Sequence, residues 1–168
     1  MKMNSLMASL WQSDAEAADP GLPEDLQALV TSGWRTGPAG ALVLAGCYED
    51  GGGWRQDWEA GIVPQHELEV NDVYIPCDDF PEDREIFLRC SVARSRKFAD
   101  AALRAAHPLI NSGLLVAVIS VGISEDYLMH GATVKFATRR SGFPEYYGDL
   151  ERFCDEAMAL VEFRDFVK

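Results

Sequence analysis

The feature that most constrains the fold is a nearly unbroken apolar run from Gly113 to Ile123, with the sequence GLLVAVISVGI. The run is rich in β-branched residues and has glycines near its ends, which favours a strand over a helix of the same length. Because no charged residue interrupts the run, we expect both faces of this strand to be covered. The run is also too short to cross a bilayer. The sequence therefore predicts a globular domain organised around one central strand.

The periodicity of the remaining chain predicts an α+β fold. Helical spacing of apolar residues occurs in four segments, at 3–11, 22–33, 95–107 and 147–161, the last being the most regular. Strand patterns occur at 41–47, 68–76, 85–92 and 132–138, in addition to the central run. A chain of 168 residues is most simply one domain, spanning residues 1–168. We predict a mostly antiparallel sheet of about four to five strands with helices packed on one face.

The balance of charge limits the classes of partner. The chain has 27 Asp and Glu against 15 Lys and Arg, which gives a formal net charge of −12. Such a surface repels nucleic-acid phosphates and anionic lipids, whereas it attracts a cationic partner. The sequence therefore predicts neither a nucleic-acid partner nor a membrane partner.

The cysteines indicate a reducing compartment. Cys47, Cys77, Cys90 and Cys154 form no CxxC pair and no close cluster, which is typical of buried free thiols. The segment 1–11 has no sustained apolar run of the kind that a secretory signal contains. We therefore expect a cytoplasmic protein.

Acidic and aromatic residues are concentrated between Tyr48 and Glu85, which we call the acidic segment. Twelve acidic residues lie there against two arginines, and tryptophan, tyrosine and phenylalanine are interspersed. Aromatic rings with carboxylates are the residue types expected of a surface that captures a basic protein. An alternative of similar weight is that the tryptophans belong to the core and the acids are simply solvated. The predicted contact residues are Glu49, Asp50, Trp54, Asp57, Trp58, Glu67, Glu69, Asp72, Tyr74, Asp78, Asp79 and Phe80.

These features predict a non-catalytic module that neutralises a basic partner protein. The mode of action would be that of an immunity protein or antitoxin that inhibits a bacterial toxin, such as a secreted toxin or nuclease. The inhibitor would act as a monomer or a homodimer, without a cofactor.

The motifs for metal or nucleophilic chemistry are incomplete. His66 and Glu67, followed later by Cys77, lack the remaining ligands of a zinc deaminase or metalloprotease. The acidic run 78–83 lacks the residue order of an EF-hand, so no metal site is predicted. The alternative function is a small hydrolase or ligand-binding domain with a pocket near the end of the central strand. Its polar lining would be Ser124, Glu125, Asp126 and His130.

A basic cluster follows the acidic segment, at Arg89, Arg94, Arg96, Lys97 and Arg104. Such a cluster could bind an anion. We expect it instead to pair with the preceding acids and to reduce their mutual repulsion.

Overall fold

The computed structural model describes residues 1–11, 20–48 and 59–166. The α-helices in these ranges are α1 (Ser5–Trp11), α2 (Glu24–Ser32), α3 (Val63–Val70), α4 (Arg84–Ala106) and α5 (Tyr127–His130). Short 3₁₀ turns at Glu145–Gly148 and Leu150–Arg152 precede the last strand. None of the described helices has the length and apolar character that crossing a membrane requires.

The strands form an antiparallel sheet and a separate hairpin. They are β1 (Lys2–Met3), β2 (Trp34–Thr36), β3 (Leu42–Leu44), β4 (Asp72–Ile75), β5 (Leu115–Gly122), β6 (Ala132–Thr138) and β7 (Glu156–Glu162). The main sheet has the order β1-β7-β5-β6-β4, and β2 pairs with β3 alone. Because every pair is antiparallel, the predicted α+β class with a mostly antiparallel sheet is confirmed.

Strand β5 is the centre of the sheet, as its sequence predicts. It pairs with β6 on one side and β7 on the other, and all its residues except Ser120 are buried. Ile119 and its neighbours on one face share the main core with Phe98 of α4 and with α1 and α2. Val118 on the other face belongs to a second, smaller cluster. Helices α1, α2 and α4 therefore cover one face, whereas α3 contributes Leu68 to the second cluster.

Two sequence assignments are wrong. The predicted strand 85–92 is the first part of helix α4, which Asp83 caps by accepting a hydrogen bond from the Ile86 backbone N–H at 3.0 Å. Its buried residues lie three and four positions apart, which is the helical period.

The predicted helix 147–161 is instead a pair of 3₁₀ turns followed by strand β7. The apolar residues in the second half of this stretch are buried in a strand that lies between β1 and β5. The predicted strand 68–76 is shortened, since α3 continues to Val70 and β4 covers only Asp72–Ile75.

Candidate functional site

The second face of the main sheet is partly covered and contains a groove. The 3₁₀ turns pack Tyr147 and Leu150 against this face, and a hollow of about 640 Å³ remains beside them. In the sheet register, Ser120 of β5 lies between Thr133 of β6 and Met158 of β7. These three residues line the hollow, which we call the sheet groove.

One wall of the sheet groove is aromatic. The ring centroids of Tyr146 and Tyr147 are 4.6 Å apart, and Tyr147 stacks with Phe153 at 6.1 Å. Burial, together with the neighbouring Tyr146, raises the pKa of the Tyr147 phenol, which therefore stays neutral at physiological pH. Tyr146 is 46% exposed, so its ring is accessible to a molecule bound in the groove.

The polar lining of the sheet groove has an excess of negative charge. Glu156 accepts a hydrogen bond from the Ser120 hydroxyl, and Asp155 lies beside it in the lining. Lys135 supplies a positive charge from β6, but its ammonium group pairs with Asp72 of β4 at 2.8 Å. The two carboxylates at the β7 end are therefore not neutralised by this lysine, and the groove favours a cation over an anion.

A second hollow adjoins the sheet groove. This second hollow, which we call the extension, has a volume of about 360 Å³ and shares Lys135, Tyr146 and Tyr147 with the first hollow. Its far wall is α3, which contributes Glu69, a carboxylate 3.4 Å from Nδ1 of His66. The two hollows therefore lie side by side, with Asp155 and Glu156 in the lining of one, Glu69 in the lining of the other, and Lys135, Tyr146 and Tyr147 in both.

The loop that precedes the 3₁₀ turns makes a close backbone approach at Gly142. This residue has φ +87°, and a Cβ atom built on it would lie 1.5 Å from the Gly61 carbonyl oxygen. We expect Gly142→Ala to lower the free energy of unfolding by at least about 2 kcal/mol, because strained backbone and displaced neighbours both cost energy. Urea unfolding followed by tryptophan fluorescence measures the change.

Gly148→Ala is the matched control, since a Cβ at Gly148 meets no atom of the described residues within 4 Å. We expect its effect to stay within about 0.5 kcal/mol. Equal stabilities of the Gly142 and Gly148 variants would show that the close approach does not constrain this loop.

Some predicted contact residues adjoin the sheet groove. Asp72 and Tyr74 project from the exposed side of β4, opposite Lys135 and Thr133 in the register. Tyr74 is 53% exposed, and Glu69 lines the extension.

Other predicted contact residues have structural roles or lie elsewhere. Glu67 has no exposed surface and is hydrogen-bonded inside the protein, so its expected place on the contact surface is wrong. Asp79 and Phe80 both engage the buried Arg94, through an ion pair at 2.7 Å and a ring 4.0 Å from the guanidinium carbon. Asp78 is exposed outside the groove lining. The predicted residues Glu49, Asp50, Trp54, Asp57 and Trp58 lie outside the described residues.

Two members of the basic cluster pair with residues of the acidic segment, as the sequence predicts. Arg89 pairs with Glu85, and Arg94 pairs with Asp79. Arg104 instead pairs with Asp100 at 2.6 Å, a residue that lies outside the acidic segment.

The alternative site near the end of β5 is only partly assembled. Ser124 Oγ lies 2.9 Å from His130 Nδ1, six residues along the chain. Of the four predicted lining residues, only His130 lines the sheet groove. Within residues 1–11, 20–48 and 59–166, no three His, Cys, Asp or Glu side chains are grouped so as to hold a metal ion.

Sequence reasoning missed most of the groove. The sequence pattern does not reveal Glu156 and Phe153 as groove residues, because it predicts a helix over 147–161 on which Glu156 would lie on the solvated face. One signal was available, since the alternation in 132–138 places Thr133 and Lys135 on the same side of β6. Comparison of the chain with protein-family models, curated proteins and solved structures found no match.

Proposed function

We propose that this protein is a non-catalytic binding protein that holds a basic partner protein in the sheet groove and thereby neutralises it. The role would be that of an immunity protein or antitoxin acting on a bacterial toxin. The observation that carries this proposal is the combination of accessible aromatic rings with excess carboxylates in two adjacent hollows on one face of the sheet.

Charge and surface chemistry support a protein partner that is basic. A net charge of −12 accelerates the encounter with a cationic surface and disfavours acidic partners. Aromatic side chains supply a large contact area at little cost in conformational entropy, and they are enriched among the residues that dominate binding energy. Four free thiols are compatible with a reducing compartment such as the cytoplasm.

The proposed contact surface differs from the acidic segment as a whole. From its described part we retain Glu69, Asp72 and Tyr74, which adjoin the groove. We add Tyr146 and Glu156, which belong to the groove itself.

The experiment is co-expression with the product of the adjacent reading frame, followed by size-exclusion chromatography and calorimetric titration. We expect a complex whose affinity falls as salt is raised. The double variant Asp155→Asn/Glu156→Gln should weaken binding about tenfold to a hundredfold, mainly through a lower association rate and lost charge pairing. The isosteric Gln retains the acceptor for the Ser120 hydroxyl, so the fold is preserved.

The control removes the same amount of charge from another surface. Glu24→Gln/Asp25→Asn lies in the first turn of α2, which packs in the main core on the other face of the sheet. We expect this variant to bind almost as tightly as the unmodified protein. A complex that ignores salt, or one that the two double variants weaken equally, would overturn the proposed site.

A small-ligand site in the same groove is the second candidate. A hollow of about 640 Å³ has the size of an ordinary ligand pocket, and His130 stands in its lining. An uncharged ligand that raises Tm equally at low and high salt would favour this function over the protein partner.

A further inference from the structure

We propose that the partner enters the sheet groove as an extended segment that carries two arginines, one bound near Asp155 and Glu156 and the other near Glu69. This inference rests on the proposed function and specifies the chemistry of the partner's contacting segment.

The shape of the groove indicates an extended chain. The two hollows share Lys135, Tyr146 and Tyr147 in their linings, so they are adjacent and an extended molecule on this surface can contact both. A compact ligand would occupy only one hollow and leave the other carboxylate end without a contact. An extended polypeptide reaches both ends and is narrow enough to pass beside the aromatic wall.

The sheet register sets the spacing of the two arginines. Glu156 pairs with Gly122, and Lys135 pairs with Val118 across the other edge of β5. These positions are therefore about 13 Å apart along the strand and about 10 Å apart across the sheet, or roughly 16 Å in total. An extended chain covers that distance in about five residues. Lys135 and Glu69 both line the second hollow, so a spacing of at least about five residues places the second arginine in that hollow, where Glu69 supplies the carboxylate.

The chemistry of the lining favours arginine over lysine. Asp155 and Glu156 share the lining of the sheet groove with Phe153 and with the exposed Tyr146, whose rings are 6.4 Å apart. A planar guanidinium can stack on a ring and donate to a carboxylate at the same time, whereas a compact, strongly hydrated ammonium cannot. The hydrogen bond from Ser120 holds the Glu156 carboxylate in position before the partner arrives.

The test uses three synthetic peptides with blocked ends, each titrated into ¹⁵N-labelled protein and followed by NMR. The first is Arg-Ser-Gly-Ser-Gly-Arg, the second replaces both arginines by lysine, and the third replaces the last arginine by serine. We expect the first peptide to shift the amide signals of Ser120, Glu156 and Glu69. Its Kd should be about tenfold lower than that of the single-arginine peptide, because the second contact is intramolecular.

The lysine peptide should bind at least about threefold more weakly than the arginine peptide. The variant Tyr146→Leu should bring the two affinities close together, because it removes the exposed ring and keeps the carboxylates. Tyr146 is half exposed, so this change leaves the fold intact.

The outcomes separate this inference from the proposed function. Equal affinities of the arginine and lysine peptides, or of the one-arginine and two-arginine peptides, would overturn the two-arginine segment. The proposed function would still stand if the partner complex depends on Asp155 and Glu156. If no peptide shifts the groove signals and the complex also ignores Asp155 and Glu156, both proposals are wrong.

Discussion

Replacing Arg94 by methionine is expected to lower the free energy of unfolding by about 3–5 kcal/mol, because it breaks a buried charge network. Arg94 is only 1% exposed. Its guanidinium donates to both carboxylate oxygens of Asp79 at 2.7 Å, and also to the backbone carbonyls of Pro20 at 2.9 Å, Gly21 at 3.3 Å and Pro76. Methionine fills a similar volume but leaves all these acceptors without a donor. Urea unfolding measures the loss.

The matched control is Arg89→Met on the same helix. Arg89 pairs with the exposed Glu85 one turn away, and such surface pairs contribute at most about 1 kcal/mol. If the two variants lose equal stability, the buried network around Arg94 does not stabilise the fold.

Acid unfolding gives a second readout of the same network. The hydrogen bonds from Arg94 hold the pKa of Asp79 below its usual range. These hydrogen bonds therefore contribute fully to the free energy of unfolding at any pH above the ordinary pKa of an aspartate. The contribution is lost as the pH falls through the lower pKa that Asp79 has in the folded protein. Arg94→Met removes the hydrogen bonds that lower the pKa of Asp79. We therefore expect the free energy of unfolding of the variant to fall less steeply with decreasing pH than that of the unmodified protein.

The elements that the sequence predicts correctly are those whose pattern has one physical interpretation. The apolar run 113–123 can bury its side chains only if both faces of the strand are covered. In the structure this run forms β5, which pairs with a strand on each side and is buried on both faces. The predicted helix 22–33 has a glycine as its last residue, and Gly33 directly follows α2 with φ +70°, a conformation that glycine adopts without strain. The strand 132–138 matches β6 residue for residue.

The wrong assignments come from apolar patterns that are compatible with two different secondary structures. The stretch 147–161 has apolar residues at helical spacing, but the same residues also serve 3₁₀ turns in its first half and a buried strand in its second. The choice is made by β1 and β5, which flank that strand and are distant from it in the sequence. Local periodicity does not contain this information, so β7 could not be recognised.

The sheet groove could not be predicted because its lining comes from segments that only the sheet order brings together. Ser120, Thr133 and Glu156 lie on three strands, and each reads as an ordinary polar residue in its own segment. For Glu67 the sequence predicts a surface residue, but the side chain is buried. Its position among other acids indicates a solvated carboxylate, and its hydrogen-bond partner Thr138 is 71 residues away, so the local sequence does not reveal the buried contact.

Glu67→Gln is expected to lower the free energy of unfolding by about 2–4 kcal/mol, although the two side chains have nearly the same shape. One Glu67 oxygen accepts from the Leu42 backbone N–H at 2.8 Å, and the other accepts from the backbone N–H and the hydroxyl of Thr138, both at 2.6 Å. A glutamine has one oxygen only, so its NH₂ group must face an N–H donor. The change also leaves Arg140 Nη2, which lies 3.5 Å from the carboxylate, without its counter-charge.

The neighbouring Glu69→Gln supplies the control on the same helix. Glu69 has a side chain that is 75% exposed, so its loss should cost about 0.5 kcal/mol or less. Because Glu67 connects β3 to the end of β6, its substitution should also open the β2–β3 hairpin locally. Hydrogen exchange should then accelerate at the amides of Leu42 and Thr138 more than at those of β5. If the two glutamine variants unfold at the same urea concentration and exchange at the same rates, the buried carboxylate does not hold the hairpin to the sheet.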